Sequence, residues 1–283
     1  MFHKLSNRRQ FLQRSAGLLT VSLALGTSDF AAAQATRGFN HVAEVLATGE
    51  ERNRQRDLWV MEVHFKPMRM IFVDITDPKT KEKRREQVWY LAYKMVNRPI
   101  SGQQDDTDTR PVNELDPVPQ RPKVIPEFTL VTYDNPQTEI PSAAYMDEVL
   151  PEAVAVINRI EARRPSDPLL KDTVSVIRDL PDPAEKDDEN AEWMYGVATW
   201  RNVDPETDFF KVIVSGISNG YEKRPGPGGE DLLWRKVLIQ KFDRRGDRFD
   251  PEQIEFEFRG DPIWDYQPDA AAATVGLPAA AAR

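Results

Sequence analysis

The 283-residue chain contains no cysteine. Disulfides, thiolate metal sites, a cysteine nucleophile and a lipoprotein anchor are therefore excluded. An ordinary apolar core must hold the fold. Histidine is almost absent: of three residues, only His41 and His64 lie beyond residue 35. A three-histidine metal site is out of reach. Glycine is scarce, at 14 against 22 prolines, so much of the chain is loop with restricted backbone. Beyond the N-terminal segment, no apolar run approaches the ~20 residues of a membrane-spanning helix. A basic surplus is missing too. The 38 Lys and Arg stand against 46 Asp and Glu, a formal net charge of −8. Nucleic acid and anionic membrane surfaces both demand the opposite sign.

What is present first is an address. Asn7-Arg8-Arg9-Gln10-Phe11-Leu12 places paired arginines just before a Phe-Leu step. An apolar stretch, Ala16 to Leu25, and the small-residue run Ala31-Ala32-Ala33-Gln34-Ala35 follow. Positive region, short apolar region and A-x-A site make a signal peptide over residues 1–35, cleaved after Ala35. The core Arg8, Arg9, Phe11 and Leu12 resembles twin-arginine export signals, with Asn7 where Ser or Thr is usual and Gln13 where Lys is common. The expected destination is the periplasm, the cell envelope or the exterior. Lys4, Arg8, Arg9 and Arg14 leave with the leader against Asp29 alone, so the mature chain is more acidic still. No membrane insertion is expected after cleavage.

Residues 36–57 read as a polar lead-in, with a short helix over Val42–Ala47 and a stretch Glu50–Asp57 too charged to pack. Strands begin at Leu58. Trp59, Met61, Val63 and Phe65 alternate onto one face. Lys66-Pro67 interrupts the run, because proline cannot donate to a ladder. Met68–Ile75 and Gln87–Val96 read as a hairpin around the polar turn at Asp77–Lys81. The second of these strands carries aromatics on both faces and is expected to be central. Trp89 and Tyr90 must point opposite ways, so one of them needs a second layer to bury it.

Ser101–Pro126 is an acidic, proline-rich loop, and Phe128–Tyr133 another alternating strand. Apolar residues at Tyr145, Val149, Leu150, Ala153, Ile157 and Ile160 give the best helical period in the chain. It predicts a helical insertion at about 143–163, broken near Leu150 by Pro151. Val174–Ile177, Trp193–Trp200, Asp208–Ile217, Asp231–Phe242 and Gln253–Phe258 read as further strands. Residues 267–283 are an Ala-rich tail expected to be disordered. Strands at hairpin spacing without alternating helices predict a mainly β, antiparallel sandwich of immunoglobulin-like type over 58–266, with a β-barrel as the alternative.

Several strand sequences carry a resemblance. They are Phe65-Lys66-Pro67-Met68-Arg69-Met70-Ile71, the run Trp89 to Arg98, Phe128 to Asp134, Gly196 to Trp200, and Phe210 to Ile217. Together they resemble uncharacterised exported proteins of planctomycete-type bacteria built on an immunoglobulin-like β-sandwich. The resemblance spans about Leu58 to Tyr266. It implies fold and export. No activity is known for that group, so it implies no site residue.

Candidate chemistry is thin. His64 and Glu62 alternate on one strand face and form the nearest thing to a metal pair, against the simpler reading of a solvated His-Glu pair. Ser215-Gly216-Ile217-Ser218-Asn219-Gly220 lacks the G-x-S-x-G elbow and reads as a turn or bulge. Asp105-Asp106-Thr107-Asp108 and Asp187-Asp188-Glu189 are oxygen-rich but lack the spacing of a Ca²⁺ loop. The basic run Lys79 to Glu86 reads as a solvated hairpin tip. Six tryptophans lie in or beside strands, either as core or as a sugar-stacking face. No catalytic, cofactor-binding or metal residue is assigned, and no cofactor is inferred. The expected function is a non-catalytic binding or structural module with a protein or glycan partner. The alternative is a carbohydrate-binding or carbohydrate-active protein using exposed aromatics.

Overall fold

A computed structural model describes residues 38–77, 79–101, 121–162, 164–226, 229–244 and 255–268, all within the compact unit Thr36–Arg283. The export residues Arg8, Arg9, Phe11 and Leu12, the acidic run at 105–108 and the Ala-rich tail lie outside the described residues. In chain order come β1 (His41–Ala43), α1 (Gly49–Arg54), β2 (Met61–Phe65), β3 (Arg69–Thr76), β4 (Lys83–Asn97), β5 (Lys123–Val124), β6 (Glu127–Tyr133) and β7 (Pro141–Met146). Then follow α2 (Pro151–Glu161), β8 (Arg178–Asp179), β9 (Met194–Arg201), β10 (Phe209–Ser215), β11 (Tyr221–Pro225), β12 (Asp231–Asp243), β13 (Glu257–Phe258) and β14 (Ile263–Pro268).

Two antiparallel sheets pack face to face and do not close into a barrel. In the first, β4 is central. Its one side pairs with β9, and its other side takes β3 along the first half and β2 along the second, with β1 beyond β2. Phe65 faces Tyr93 while Arg69 faces Tyr90. Lys66-Pro67-Met68 therefore holds one residue more than the partner strand, a bulge. Proline is tolerated there because the ladder is already interrupted. The second sheet is built on β12, which pairs with β10 and β11 and with β13 and β14; β6 and then β7 extend it beyond β10.

The alternation of β4 explains the layers. Trp89, Leu91, Tyr93 and Met95 enter the space between the sheets, where they meet Phe128, Leu130, Phe210, Val212 and Phe242. Val88, Tyr90 and Ala92 face the other way and are covered by Leu150, just before α2, and by Ala153 and Ile157 within it. The helix is thus the second layer that Tyr90 requires. Its Pro151 occupies the first turn, where the missing N–H costs nothing.

Four local expectations are corrected. Pro141–Met146 is the edge strand β7, not the first half of the helix. The residue before a proline is pushed to extended backbone, and Leu150 sits at φ −121°, ψ 86°, so α2 cannot run back through it. Val42–Ala47 is not helical; β1 ends at Ala43 and the helix is α1. Val174–Ile177 is a turn, with the Asp172 carboxylate accepting from the Val174 and Ser175 N–H groups. Finally, Glu50–Asp57 does pack: Glu51 and Gln55 are buried. Glu51 completes a capping box with Thr48 and receives Lys236 Nζ at 2.6 Å and the Tyr266 hydroxyl. Charge does not forbid burial once each charge has its partner. Burial alone would raise the Glu51 pKa, but Lys236 and Tyr266 hold it below the ordinary value.

Candidate functional site

The sequence-level candidates separate cleanly in space. His64 Nε2 lies 2.8 Å from Glu62 Oε1, and Arg98 donates to the same oxygen from 3.3 Å. Burial would raise the Glu62 pKa, yet His64 and Arg98 together lower it. The carboxylate is an ion-pair hub, and both side chains are largely shielded rather than wet. Among the described residues no group of three His, Asp or Glu side chains is placed to hold a metal. Asp187, Asp188 and Glu189 are exposed in a turn, with Asp188 accepting from the Asn190 N–H. Of the Lys79 to Glu86 run, Lys79 to Glu82 form the exposed β3–β4 turn, where Asp77 accepts from the Lys79 and Thr80 N–H groups, and Lys83 to Glu86 begin β4.

The Ser215–Gly220 stretch is a clamp between sheets. Ser218 Oγ donates to the Trp59 carbonyl at 2.9 Å. Asn219 Oδ1 accepts from the Trp59 N–H, and its Nδ2 donates to the Asp57 carbonyl. The Met61 N–H reaches the Ile217 carbonyl. Gly216 is required by its backbone: φ is +70°, and any Cβ would run into the Ile125 carbonyl. The Ser218 hydroxyl is thus engaged by backbone on both sides, accepting from the Gly220 N–H as well, and Ser215 Oγ donates to the Glu127 carboxylate at 3.2 Å.

The tryptophans fall into two sets. Trp89 and Trp200 are fully buried between the sheets. Trp59, Trp193, Trp234 and Trp264 are half-buried. The rings of three in the second set are faced by cations. Lys94 Nζ sits 3.7 Å from the Trp193 ring centre with Arg98 at 5.3 Å. Arg224 lies 4.0 Å over Trp234, and Lys236 5.8 Å over Trp264. Exposed large aromatics are Phe72, on β3 of the first sheet, and Tyr221, on β11 of the second. The described residues thus present no coplanar exposed pair.

A groove of about 880 Å³ is formed where loops of the sandwich meet. Six parts of the chain converge on it: Arg56–Trp59 after α1, Asn97–Ile100 at the end of β4, Arg121–Ile125 around β5, Leu180–Pro183 after β8, Gly216 to Asn219 after β10, and Arg235 of β12. Four prolines, Pro99, Pro122, Pro181 and Pro183, stiffen its walls. Trp59, Ile100, Ile125 and Leu180 give it apolar surface, and Ile125 is 44% exposed. Arg56, Arg98, Arg121, Lys123 and Arg235 line it together with Asp57 and Asp182, and Arg98 is already paired with Glu62. Hydrogen bonds set the walls: Asn97 Nδ2 donates to the Pro181 carbonyl, and Arg98 Nη1 to the Ala184 and Glu185 carbonyls. Lys123 pairs with Asp179, and Arg121 with Asp182.

Sequence reasoning missed this groove. Its residues are scattered over six separated segments, none with a motif, and only the fold brings them together. Comparison of the chain with protein-family models, with curated proteins and with solved structures finds no match in any of the three. Among the described residues no helix is long and apolar enough to cross a membrane.

Proposed function

We propose that the protein is an exported, non-catalytic binding module of the periplasm or cell envelope. Its loop-end groove takes an extended polypeptide segment carrying aliphatic and acidic side chains. The observation that supports this reading is the groove: proline-stiffened walls, an exposed Ile125 and a lining that carries five basic side chains. Extended peptides bind through such preformed, partly apolar channels, with charge setting the choice of partner. A glycan reader needs open ring faces, whereas the half-buried Trp193, Trp234 and Trp264 carry cations over theirs. The kinship to exported planctomycete-type proteins belongs to the same proposal and concerns address and fold alone.

A random peptide display library panned on the purified protein tests it. The expected ligands are acidic and aliphatic, and they lose about tenfold in affinity with Ile125→Asp or Arg56→Glu, a change of ~1.4 kcal/mol. A library without binders, or binders indifferent to both variants, overturns the reading. Binding on a glycan array instead transfers the role to carbohydrate. Export is tested separately by replacing Arg8 and Arg9 with lysine, which is expected to block it. Unchanged export would assign the general secretory route.

A further inference from the structure

A second concavity, on the outer face of the first sheet, has a different chemistry. Its volume is about 250 Å³, and its lining includes Phe39, Lys66, Lys94, Arg164, Leu170 and Tyr195. The strand register explains the assembly. His64, Lys94 and Tyr195 stand opposite one another across β2, β4 and β9, so a lysine occupies the centre of an aromatic row. Phe39 crosses Tyr195 edge-on at 6.1 Å. Lys66 Nζ lies 4.9 Å from the Phe39 ring centre and Lys94 Nζ 5.8 Å from it. Trp193 takes Lys94 at 3.7 Å from its own ring centre.

The two lysines are not equivalent. Lys66 donates to Glu161 Oε2 at 2.7 Å and to the Glu161 carbonyl. Lys94 has ring contacts but no hydrogen bond or ion pair with any described residue. The Arg164 guanidinium and the Tyr195 hydroxyl have none either. An ammonium carries three donors, and a ring face does not replace a hydrogen-bond acceptor. Three donor groups on one small cavity therefore have no acceptor among the described side chains; Arg164 is exposed and Lys94 and Tyr195 are half-buried, so water reaches them. The nearby carboxylates are engaged elsewhere: Glu161 is shared by Lys66, Tyr90 and Arg69, and Asp167 accepts from the Arg164 N–H.

We propose that this cavity binds a small monocarboxylate, its oxygens taken by Lys94, Arg164 and Tyr195 and its apolar body lying between Phe39 and Leu170. The volume falls below the ~300–1,000 Å³ of sites for drug-sized ligands, which restricts the ligand to a small molecule. One carboxylate offers all three donors a charged acceptor in place of water, while Asp167 at the rim disfavours a dianion. Burial lowers the Lys94 pKa, opposed by Glu62 and assisted by Arg98. An incoming anion relieves that penalty.

Isothermal titration of the full protein with benzoate, inorganic phosphate and neutral benzamide tests the proposal. The expected result is saturable benzoate binding tighter than about 1 mM, which corresponds to ~4 kcal/mol, with no response to phosphate or benzamide. Lys94→Met and Arg164→Ala are each expected to weaken benzoate at least tenfold. Arg164 is exposed, so its variant keeps the test decisive if Lys94→Met fails to fold. Absence of saturable benzoate binding, equal binding of phosphate or benzamide, or affinity unchanged in Arg164→Ala overturns it.

Discussion

Lys211 on β10 and Lys241 on β12 stand directly opposite each other across the strand pair, two like charges on one face. Such a pair is destabilising by itself. Glu139, from the β6–β7 connection, resolves it: its carboxylate receives Lys211 Nζ at 3.3 Å and Lys241 Nζ, with Arg259 at 3.5 Å. Glu139 adopts φ +48° to do so, a left-handed backbone that costs a non-glycine residue free energy. Glu139→Gln is expected to lower stability by about 2 kcal/mol, the scale of hydrogen bonds to a charged group. Urea unfolding midpoints compare the two proteins.

The same carboxylate sets a pH dependence. Burial would raise the Glu139 pKa, but Lys241 and Lys211 bring it below the ordinary 4.5. Glu51 and Glu62 are lowered in the same way by their own partners. A depressed folded pKa contributes stability above the unfolded value, and that contribution is lost as pH falls through the folded value. Unfolding midpoints are therefore expected to hold from neutral pH down to about 5 and then to fall. In Glu139→Gln the acid slope becomes shallower. A slope identical to wild type would remove Glu139 from the account.

Glu161 closes a buried network at the end of α2. It receives Lys66 at 2.7 Å, the Tyr90 hydroxyl at 2.7 Å and Arg69 at 3.5 Å. Burial, followed by the Glu161 charge, pushes the Tyr90 hydroxyl far above its ordinary pKa. Removing one member strands the rest, so Glu161→Ala is expected to cost about 3–5 kcal/mol. Lys66→Met with Glu161→Met together should cost less than the two singles added, because neither charge is left alone. A double-mutant cycle in urea measures the coupling. Simple additivity would mean that the contact does not fasten the helix.

Gly196 faces Tyr93 across β4 and β9, and any Cβ there would overlap the buried Tyr93 ring. Gly196→Ala is expected to cost about 1–3 kcal/mol by overpacking. Reducing Tyr93 to Leu in the same chain should recover part of the loss. Thermal unfolding of the two variants decides the point, and an unchanged midpoint for Gly196→Ala would contradict the packing.

Cations over Trp193 and Trp234 have an optical consequence. Iodide is attracted to those rings and caesium repelled, so iodide is expected to quench the accessible fluorescence more strongly than caesium despite the negative net charge. Trp89 and Trp200 should resist both. Equal quenching by the two ions would contradict the arrangement, and protection by added glycan would reopen the carbohydrate reading.

Much of the strand framework was legible because its signals are local. The run Trp89-Tyr90-Leu91-Ala92-Tyr93 demanded burial on both faces, and the structure supplies α2 on one and the second sheet on the other. Pro151 marked the start of α2 for the same local reason. The edge strands β7, β11 and β14 were not legible, since their polar, half-exposed sequences carry little alternation and form only because β6 and β12 offer partners. The groove was hidden by the separation of its segments along the chain. Lys94 did leave a sign: it is a lone charge inside the otherwise apolar run Trp89 to Val96. Charged residues are almost never fully buried unless paired, so such a residue in a central strand asks what faces it.

The bulge at Lys66-Pro67-Met68 works as a phase shifter. Before it, the odd-numbered Met61, Val63 and Phe65 look inward between the sheets; after it, the even-numbered Met68 and Met70 do, and Val73 and Ile75 look out to α2. The chain thus changes the parity of its faces in mid-line while staying bonded to one partner strand. Losing a single residue from this interruption would match it to the two residues opposite, Leu91 and Ala92, and remove the bulge, leaving Met70 facing the gap and Val73 and Ile75 facing the helix. A one-residue deletion here would therefore straighten the strand and leave the membership of both cores as it is.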